Sequence, residues 1–222
     1  LSGDTIAFGG RAISKNAIAK YINSPETEFY KKGKILFNLD KAKNLRSKTD
    51  QVIIVEGYMD VLSLYNKGVY NVISNSGTAI TENQIDLIWN FFLNPIISLD
   101  GDKSGQNASI RIAERLFPKI TESKNIHFLS LPDGKDPDDF INKNGKEAFE
   151  KIVYQKENIK DFIWRKYLST VNFSNPFEIS KFEKDIKKLC NTINDSILKK
   201  YITEDFLAKF NELTPNYNLK NT

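Results

Sequence analysis

Cysteine and histidine are almost missing from this 222-residue chain, which has one of each, Cys190 and His127. A single cysteine excludes an internal disulfide and a zinc site built from several cysteines. Cys190 shares an apolar helical face with Ile186, Leu189 and Ile193, which favours a buried core position. With one histidine as well, a metal ion bound here must rely on oxygen ligands, which favours Mg²⁺, Mn²⁺ or Ca²⁺ over zinc.

Long apolar runs are missing too. No stretch of about 18 apolar residues occurs, so a membrane span is excluded. The first residues, L-S-G-D-T, lack the basic and apolar regions of a signal peptide. Since the sequence has no initiator methionine and starts in what looks like the middle of a domain, we expect an excised fragment. Apolar residues make up 40% and charged residues 27%, as is ordinary for a globular protein.

The net charge of +4 conceals a segregation along the chain. Residues 1–50 carry ten Lys and Arg against five Asp and Glu, residues 51–142 carry seven against twelve, and residues 143–222 carry fifteen against eleven. An acidic middle between basic flanks suits metal ions in the middle and phosphates at the sides. The alternative, that the flanking lysines are solvated helix faces, is at least as good for the third segment.

Acidic residues follow three apolar, mostly β-branched segments that are typical of buried strands. Helical patterns separate these segments, and such alternation predicts a parallel sheet that binds ligands at the carboxyl ends of its strands. Carboxylates gathered at that edge indicate a site for divalent metal ions. The predicted strands and their acids are Val52–Val55 with Glu56, Pro95–Leu99 with Asp100 and Asp102, and Ile126–Leu131 with Asp133, Asp136, Asp138 and Asp139.

Asp100-Gly101-Asp102 is open to four interpretations. A calcium loop fails, because its twelfth position, which needs a glutamate, is Arg111. If the two aspartates were a phosphatase nucleophile and its acid partner, Glu56 would have no role. A solvated turn is the commonest role of Asp-Gly. Two carboxylates spaced i, i+2 in extended backbone point the same way and can share cations with Glu56, which is the interpretation we favour.

The other acidic residues are open to more than one role. Asp136-Pro137-Asp138 has the same spacing, but a turn with a helix cap is a serious competitor. Asp60, four residues after Glu56 on the predicted helix Tyr58–Asn66, either approaches the site or only lies on the helix. Glu56 is the hardest to explain structurally, because a carboxylate after an apolar strand is costly unless it is paired or bound to metal.

The basic N-terminal segment predicts phosphate contacts. Thr5–Ser14 is interpreted as two short strands joined through Gly9-Gly10, with Arg11 directly after the joint. A turn-rich loop follows over residues 20–27, and a further basic stretch, K-K-G-K, starts at Lys31. Taken alone, such loops are more often plain surface.

The predicted fold class is α/β: a parallel sheet flanked by helices, a basic α+β segment before it and a helical subdomain after it. A further strand is predicted over Val69–Ser74, Gly68 is predicted to end the helix before it, Thr81 to cap the helix after it, and another helix is predicted over Gly145–Val153. Strand signals end near residue 155, and amphipathic helices are predicted over residues 158–169, 176–193 and 196–210. We expect the division 1–50, 51–153 and 154–212, with a frayed tail over 213–222.

Several motifs resemble a known family. V-E-G-Y-M-D, then D-G-D, then L-P-D-G-K-D-P-D-D are similar to the Toprim metal-binding module. F-G-G-R, K-Y-I-N-S-P-E-T and K-G resemble the basic region before that module in bacterial DnaG-type primases. N-S-G-T, starting at Asn75, and the later helices extend the resemblance over nearly the whole chain, although the family pattern has an apolar residue before Gly-Thr.

The resemblance implies template-directed synthesis of short RNA primers on single-stranded DNA, in the bacterial cytoplasm at the replication fork. It also implies Mg²⁺ or Mn²⁺ as cofactor, without zinc in this fragment, and as partners a DNA template, ribonucleoside triphosphates, an RNA–DNA hybrid and the replicative helicase. The roles it implies are a catalytic metal centre of Glu56, Asp100 and Asp102, further ligands Asp136 and Asp138, Asp60 nearby, and nucleotide contacts by Arg11, Lys20, Tyr21, Asn23 and Lys32.

Two other classes remain open: a Toprim nuclease or topoisomerase-like enzyme, and a non-catalytic nucleic-acid-binding module. No zinc-binding domain and no separate helicase-contacting module is recognised in this sequence. We therefore expect the fragment alone to have low activity or none.

Overall fold

The computed structural model describes residues 4–13, 21–75, 79–99, 101 and 103–214, and of Lys103 and Asp133 it describes the backbone only. Within these residues the helices are α1 (Leu39–Ala42), α2 (Tyr58–Asn66), α3 (Glu82–Trp89), α4 (Lys103–Leu116), α5 (Pro137–Val153), α6 (Ile159–Leu168), α7 (Pro176–Asn191) and α8 (Ser196–Leu213).

A small two-stranded sheet comes first. Strands β1 (Gly9–Arg11) and β2 (Tyr21–Asn23) pair antiparallel, with Gly10 opposite Ile22. The prediction that Gly9-Gly10 joins two strands is wrong, since both glycines lie inside β1, and β2 falls where a loop was predicted. The partner strand starts ten residues after β1 ends, so no local turn pattern reveals the pairing.

A five-stranded sheet forms the centre of the described chain, in the order β4-β3-β5-β6-β7. The first four strands are parallel, as predicted, and each is shorter than its apolar segment. The edge strand β7 runs antiparallel to β6, so the sheet is mixed and the expectation that strands end near residue 155 is wrong. Glutamate and asparagine are poor strand formers, and pairing with β6 overrides their preference. The strands are β3 (Ile53–Val55), β4 (Val72–Ser74), β5 (Ile96–Ile97), β6 (His127–Phe128) and β7 (Glu157–Asn158).

Successive side chains of each strand point to opposite faces of this sheet, and both faces are buried. Ile54 and Ile97 lie in one core with residues of α3, α4 and the three C-terminal helices. Ile53 and Ile96 lie in a second core beneath α2 and α5. The first core joins the sheet to the C-terminal helices, which pack on it as predicted. Both faces of the sheet are thereby covered.

The described helices include none with both the length and the apolar character that crossing a bilayer requires. Cys190 is a core residue, 1% exposed, as its helical position predicted.

Two lysines and two aspartates form an ion-pair network between α6 and α8. Lys160 lies 2.7 Å from Asp205, and Lys209 lies 3.1 Å from Asp161. Partial burial alone would raise the pKa of each aspartate, but hydrogen bonds and charges of the lysines, with a hydrogen bond from Asn158 to Asp161, together outweigh it and lower both pKa values. Asp161 and Asp205 in turn raise the pKa of Lys209, although burial alone would lower it.

We expect the network to make the protein sensitive to acid. A lowered folded-state pKa stabilises the protein above the ordinary carboxyl value, and that stabilisation is lost as pH falls through the folded pKa. Melting temperature should therefore fall as pH drops below about 4. The Asp161→Asn, Asp205→Asn double variant should show a shallower fall in circular dichroism melts between pH 3 and 7. An equally steep fall would contradict this role.

Candidate metal centre and nucleic-acid interface

The carboxyl ends of β3 and β5 lie side by side. The strands pair in parallel, Ile54 opposite Ile97, and the Ser98 amide donates to the Ile54 carbonyl at 2.9 Å. Continuing this register places Glu56 beside Leu99, the residue before Asp100. Glu56 is exposed. The predicted ligands Asp100 and Asp102 lie outside the described residues.

The loop after β5 is in backbone contact with the turn after β6. The Gly101 amide donates to the Lys135 carbonyl at 3.2 Å. A Cβ at Gly101 would lie 2.9 Å from Gly134 Cα and 3.0 Å from the Leu131 carbonyl oxygen. Only glycine fits there without displacing the backbone. The ends of β3, β5 and β6, each followed by acids in the sequence, therefore meet at one edge of the sheet.

α5 has two helical parts on either side of a kink at Gly145. The second matches the predicted helix, Gly145–Val153, and the first, which starts at Pro137, was not predicted. Asp136 is the N-cap and accepts from the Asp139 amide at 2.6 Å, and Pro137 occupies the first helical position. Gly145 lies inside the helix with φ of +80°, at a kink. Asp136 thus has the helix-capping role that was left open, and its role as a metal ligand stays a prediction.

Asp60 and Asp138 join the starts of α2 and α5. Asp60 is 9% exposed; its Oδ2 accepts from the Gly57 amide at 3.0 Å, and its Oδ1 accepts from the Asp138 amide at 3.3 Å. Asp138 Oδ1 accepts from Ser63 Oγ, and from Asn142 Nδ2 at 2.6 Å. These contacts fix both helix starts at the edge where Glu56 emerges.

The chemistry of the edge fits a hard divalent cation, since its acidic donors are carboxylates. The described residues contain no group of three or more Asp, Glu, His or Cys side chains that could hold a metal ion. Two of the five predicted ligands are outside that part of the chain. Ser74 and Ser98, at the ends of the strands flanking β3, have fully buried hydroxyls without a hydrogen-bond partner among the described residues. Ser74 is paired with Val55, the residue before Glu56, so this hydroxyl lies next to the end of β3.

The hairpin of β1 and β2 carries three of the predicted nucleotide-contacting residues. Arg11 and Tyr21 are paired across the strands, and the Arg11 guanidinium lies 5.9 Å from the centre of the Tyr21 ring. Both side chains are exposed, and Asn23 is half-buried. Lys20 lies outside the described residues. A cation beside an exposed aromatic ring suits both phosphates and stacked bases.

Tyr58, two residues after Glu56, connects this hairpin to α2. Its hydroxyl donates to the Gly10 carbonyl at 3.1 Å. Its ring makes edge-to-face contacts with Tyr21 and Phe37, with centroids 5.8 Å and 6.1 Å apart. Burial and, less strongly, the neighbouring tyrosines raise the pKa of Tyr58, so it stays protonated and able to donate. Sequence reasoning missed Tyr58, because its partner lies 48 residues earlier in the chain.

Lys32 lies on a turn that Gln84 fastens to the start of α3. Gln84 is fully buried, and its Nε2 donates to the carbonyls of Lys32 and Ile35, each at 2.9 Å. Its Oε1 accepts from the Thr81 amide at 2.9 Å, and Thr81 caps α3 as predicted. α3 follows β4, so this turn and Lys32 lie at the same end of the sheet as Glu56. Sequence reasoning missed Gln84 also; the T-x-x-Q capping-box spacing was its one available signal.

Replacing Gln84 by alanine should destabilise the protein. The substitution leaves three backbone groups without their partners, which we expect to lower the free energy of unfolding by about 3 kcal/mol. Urea denaturation measures the change. Asn83→Ala, an exposed neighbour on the same helix, is the matched control and should have little effect. Equal stability of the two variants would contradict the assignment.

Two families match the sequence. The family described as "Toprim-like" matches residues 53–141, and the family described as "DNA primase catalytic core, N-terminal domain" matches residues 1–43. The first match covers the sheet from β3 to the beginning of α5, and the second covers the basic segment with the hairpin.

Relatives and solved structures agree with these matches. The DNA primase of Rickettsia prowazekii is 39% identical over 194 residues, covering 87% of this chain and 32% of the relative. The chain thus spans about a third of the length of such curated relatives. The Escherichia coli primase catalytic core superposes with a TM-score of 0.84 at 33% identity, covering 92% of this chain and 65% of that one. A DnaG primase catalytic domain bound to single-stranded DNA gives 0.84 at 32% identity, covering 92% and 64%. The chain belongs to the bacterial DnaG-type DNA primase family and is similar to 66% of a solved DnaG catalytic core.

Proposed function

We propose that this chain carries the catalytic centre for template-directed synthesis of short RNA primers on single-stranded DNA, a nucleotidyl transfer. The observation that carries the proposal is the contact between two predicted parts of that centre. The exposed hairpin with Arg11 and Tyr21 packs against Tyr58, two residues from Glu56 at the carboxyl edge of the sheet.

The carboxylate edge is the proposed site of divalent metal ions. Glu56 would hold them together with Asp100 and Asp102, and with Asp136 and Asp138 as further ligands. Mg²⁺ or Mn²⁺ would activate the primer 3′-hydroxyl and neutralise charge on the leaving pyrophosphate. Asp60 has a different proposed task, because both of its oxygens accept backbone hydrogen bonds: it holds the helix starts in place around the ligands.

The hairpin and the Lys32 turn are the proposed contacts for nucleic acid and nucleotide. Arg11, Lys20 and Lys32 would bind phosphates, Asn23 would donate to them, and Tyr21 would stack on an unpaired base. Single-stranded DNA as the partner is supported by the similar catalytic domain whose structure contains it. Ribonucleoside triphosphates and the RNA–DNA hybrid follow from the same reaction.

Three further assignments belong to the proposal. The working site is the bacterial cytoplasm at the replication fork, and the replicative helicase binds through a region outside these 222 residues. The chain divides into the basic segment 1–50, the Toprim domain 51–153, the helical subdomain 154–212 and the tail 213–222. Helical packing on one sheet core supports a rigid platform for the centre.

The test is extension of a labelled RNA primer annealed to a single-stranded DNA template, with ribonucleotides and Mn²⁺. A preformed primer removes the need for initiation, so the assay measures nucleotidyl transfer alone. Ribonucleotide-dependent extension that stops on chelation of the metal is expected. Cleavage of the template would instead support a nuclease, and retention without extension would support a binding module; either result overturns the proposal.

A further inference from the structure

The hairpin of β1 and β2 is placed without the help of a hydrophobic core. None of its six strand residues is buried; five are exposed and Asn23 is half-buried. Neither core cluster contains a hairpin residue. Since burial of apolar surface is the usual means of fixing an element, this hairpin depends on a few specific contacts for its position.

Tyr58 supplies such contacts from the start of α2. Its hydroxyl bonds to the Gly10 carbonyl, and its ring lies so near β1 that a Cβ on Gly9 would be 3.1 Å from two ring carbons. The ring edge also meets Tyr21 on β2. One side chain therefore touches both strands of the hairpin.

The backbone of Tyr58 is as firmly placed as its side chain. It is the first residue of α2, and the Asp60 carboxylate accepts from the Gly57 amide just before it. Glu56 is the next residue back, at the end of a buried strand. A shift of the hairpin relative to Glu56 must therefore break or strain the Tyr58 contacts.

We propose that Tyr58 is a positioning residue that couples nucleic-acid binding on the hairpin to metal binding at Glu56. The inference rests on the proposed function and deepens it. Phosphoryl-transfer centres depend on holding the nucleic acid and the metal ions in fixed relative positions, and a misplacement of about 1 Å can cost a hundredfold in rate. A single hydrogen bond between the two parts is a direct means of setting that distance.

The coupling is measured as the ratio of two dissociation constants. A fluorescent RNA-primed DNA template is titrated with the protein, with Mn²⁺ absent and present, and the two affinities are compared. In the wild type Mn²⁺ should strengthen binding about tenfold or more, within the usual range of coupling between sites. In Tyr58→Phe, which keeps the ring and loses the hydroxyl, the ratio should fall to that of Glu56→Gln, where the metal site is damaged. Affinity of Tyr58→Phe without Mn²⁺ should stay within about twofold of wild type.

Two further variants separate coupling from stability. Tyr65→Phe makes the same change at the far end of α2 and should keep the wild-type ratio. Gly9→Ala would place a methyl group 3.1 Å from the Tyr58 ring and 3.2 Å from Asn23 Oδ1, and this crowding should lower the ratio as Tyr58→Phe does. Circular dichroism melts establish that each variant is folded.

The outcomes also separate this inference from the proposed function. A wild type whose binding is unaffected by Mn²⁺ would overturn the proposed function. A wild type with coupling, beside a folded Tyr58→Phe with the same ratio, would overturn the role of Tyr58 alone. If Tyr65→Phe lowered the ratio as much as Tyr58→Phe does, the cause would be general destabilisation, and the role of Tyr58 would again be overturned.

Discussion

Glu56→Gln is expected to lower primer extension by more than about a hundredfold while leaving the fold intact. Residues that only orient a metal ligand typically cost 10- to 100-fold when they are replaced, so a direct ligand should cost at least as much. Glutamine keeps the shape of the side chain and removes the charge that a divalent cation requires. Because Glu56 is exposed, we expect the melting temperature to change by no more than about 2 °C.

Glu122→Gln is the matched control for this experiment. Glu122 is an exposed glutamate in the loop before β6, at the opposite edge of the sheet from Glu56. The same chemical change there should leave extension at the wild-type rate. Steady-state extension rates and thermal melts of both variants test the prediction. Full activity of folded Glu56→Gln would remove Glu56 from the metal centre.

Gly101→Ala is expected to weaken metal binding at least about tenfold and to lower the free energy of unfolding by about 1–3 kcal/mol. The new methyl group would meet the backbone of Gly134 and Leu131, which unlike a flexible side chain cannot turn away. The loop after β5 must then separate from the turn after β6. The predicted ligands on each side of Gly101 would move away from those that follow the turn.

Gly145→Ala separates the two effects of that substitution. Gly145 has φ of +80° and ψ of 175°, a conformation that essentially only glycine adopts, and open space around it, so alanine there strains the backbone by about 1–3 kcal/mol without a collision. It lies well inside α5, away from the strand ends. Comparable loss of stability with wild-type Mn²⁺ affinity is expected for this control. Gly101→Ala with wild-type Mn²⁺ affinity in calorimetry would contradict the loop packing.

Local patterns in the sequence were sufficient to predict much of the fold. The limits of α2 are those predicted, and Gly68, predicted to end it, has φ of +88° just after its last turn. Thr81 caps α3 as predicted because its capping spacing is local. The parallel order at the centre of the sheet followed from the alternation of apolar strands with helices.

Features that depend on distant partners could not be predicted in the same way. β7 consists of Glu157 and Asn158, which have no strand signal of their own and pair only because β6 presents an open edge. The first part of α5, before the kink at Gly145, was missed for a different reason: Asp136-Pro137 is a cap signal in the sequence, but its spacing also fits a metal motif.

The same distinction between local signals and distant partners applies to the candidate site. The sequence predicts that the carboxylates after the apolar strands lie close together, because the carboxyl ends of parallel strands lie at the same end of the sheet. Tyr58 and Gln84 were not, since their partners lie 48 to 52 residues earlier and neither residue type indicates a function by itself. Residues that position a site are found through their contacts, and those contacts appear only in the fold.

The central claim, that carboxylates at this edge bind metal ions for polymerisation, is tested most directly by calorimetric titration with Mn²⁺. Wild type and Glu56→Gln are compared, each with and without a ribonucleoside triphosphate, after subtraction of binding between the nucleotide and the metal. The account predicts binding that strengthens with nucleotide in the wild type and collapses in the variant. Equal binding by the two proteins would mean that Glu56 is a surface residue, and would contradict the account.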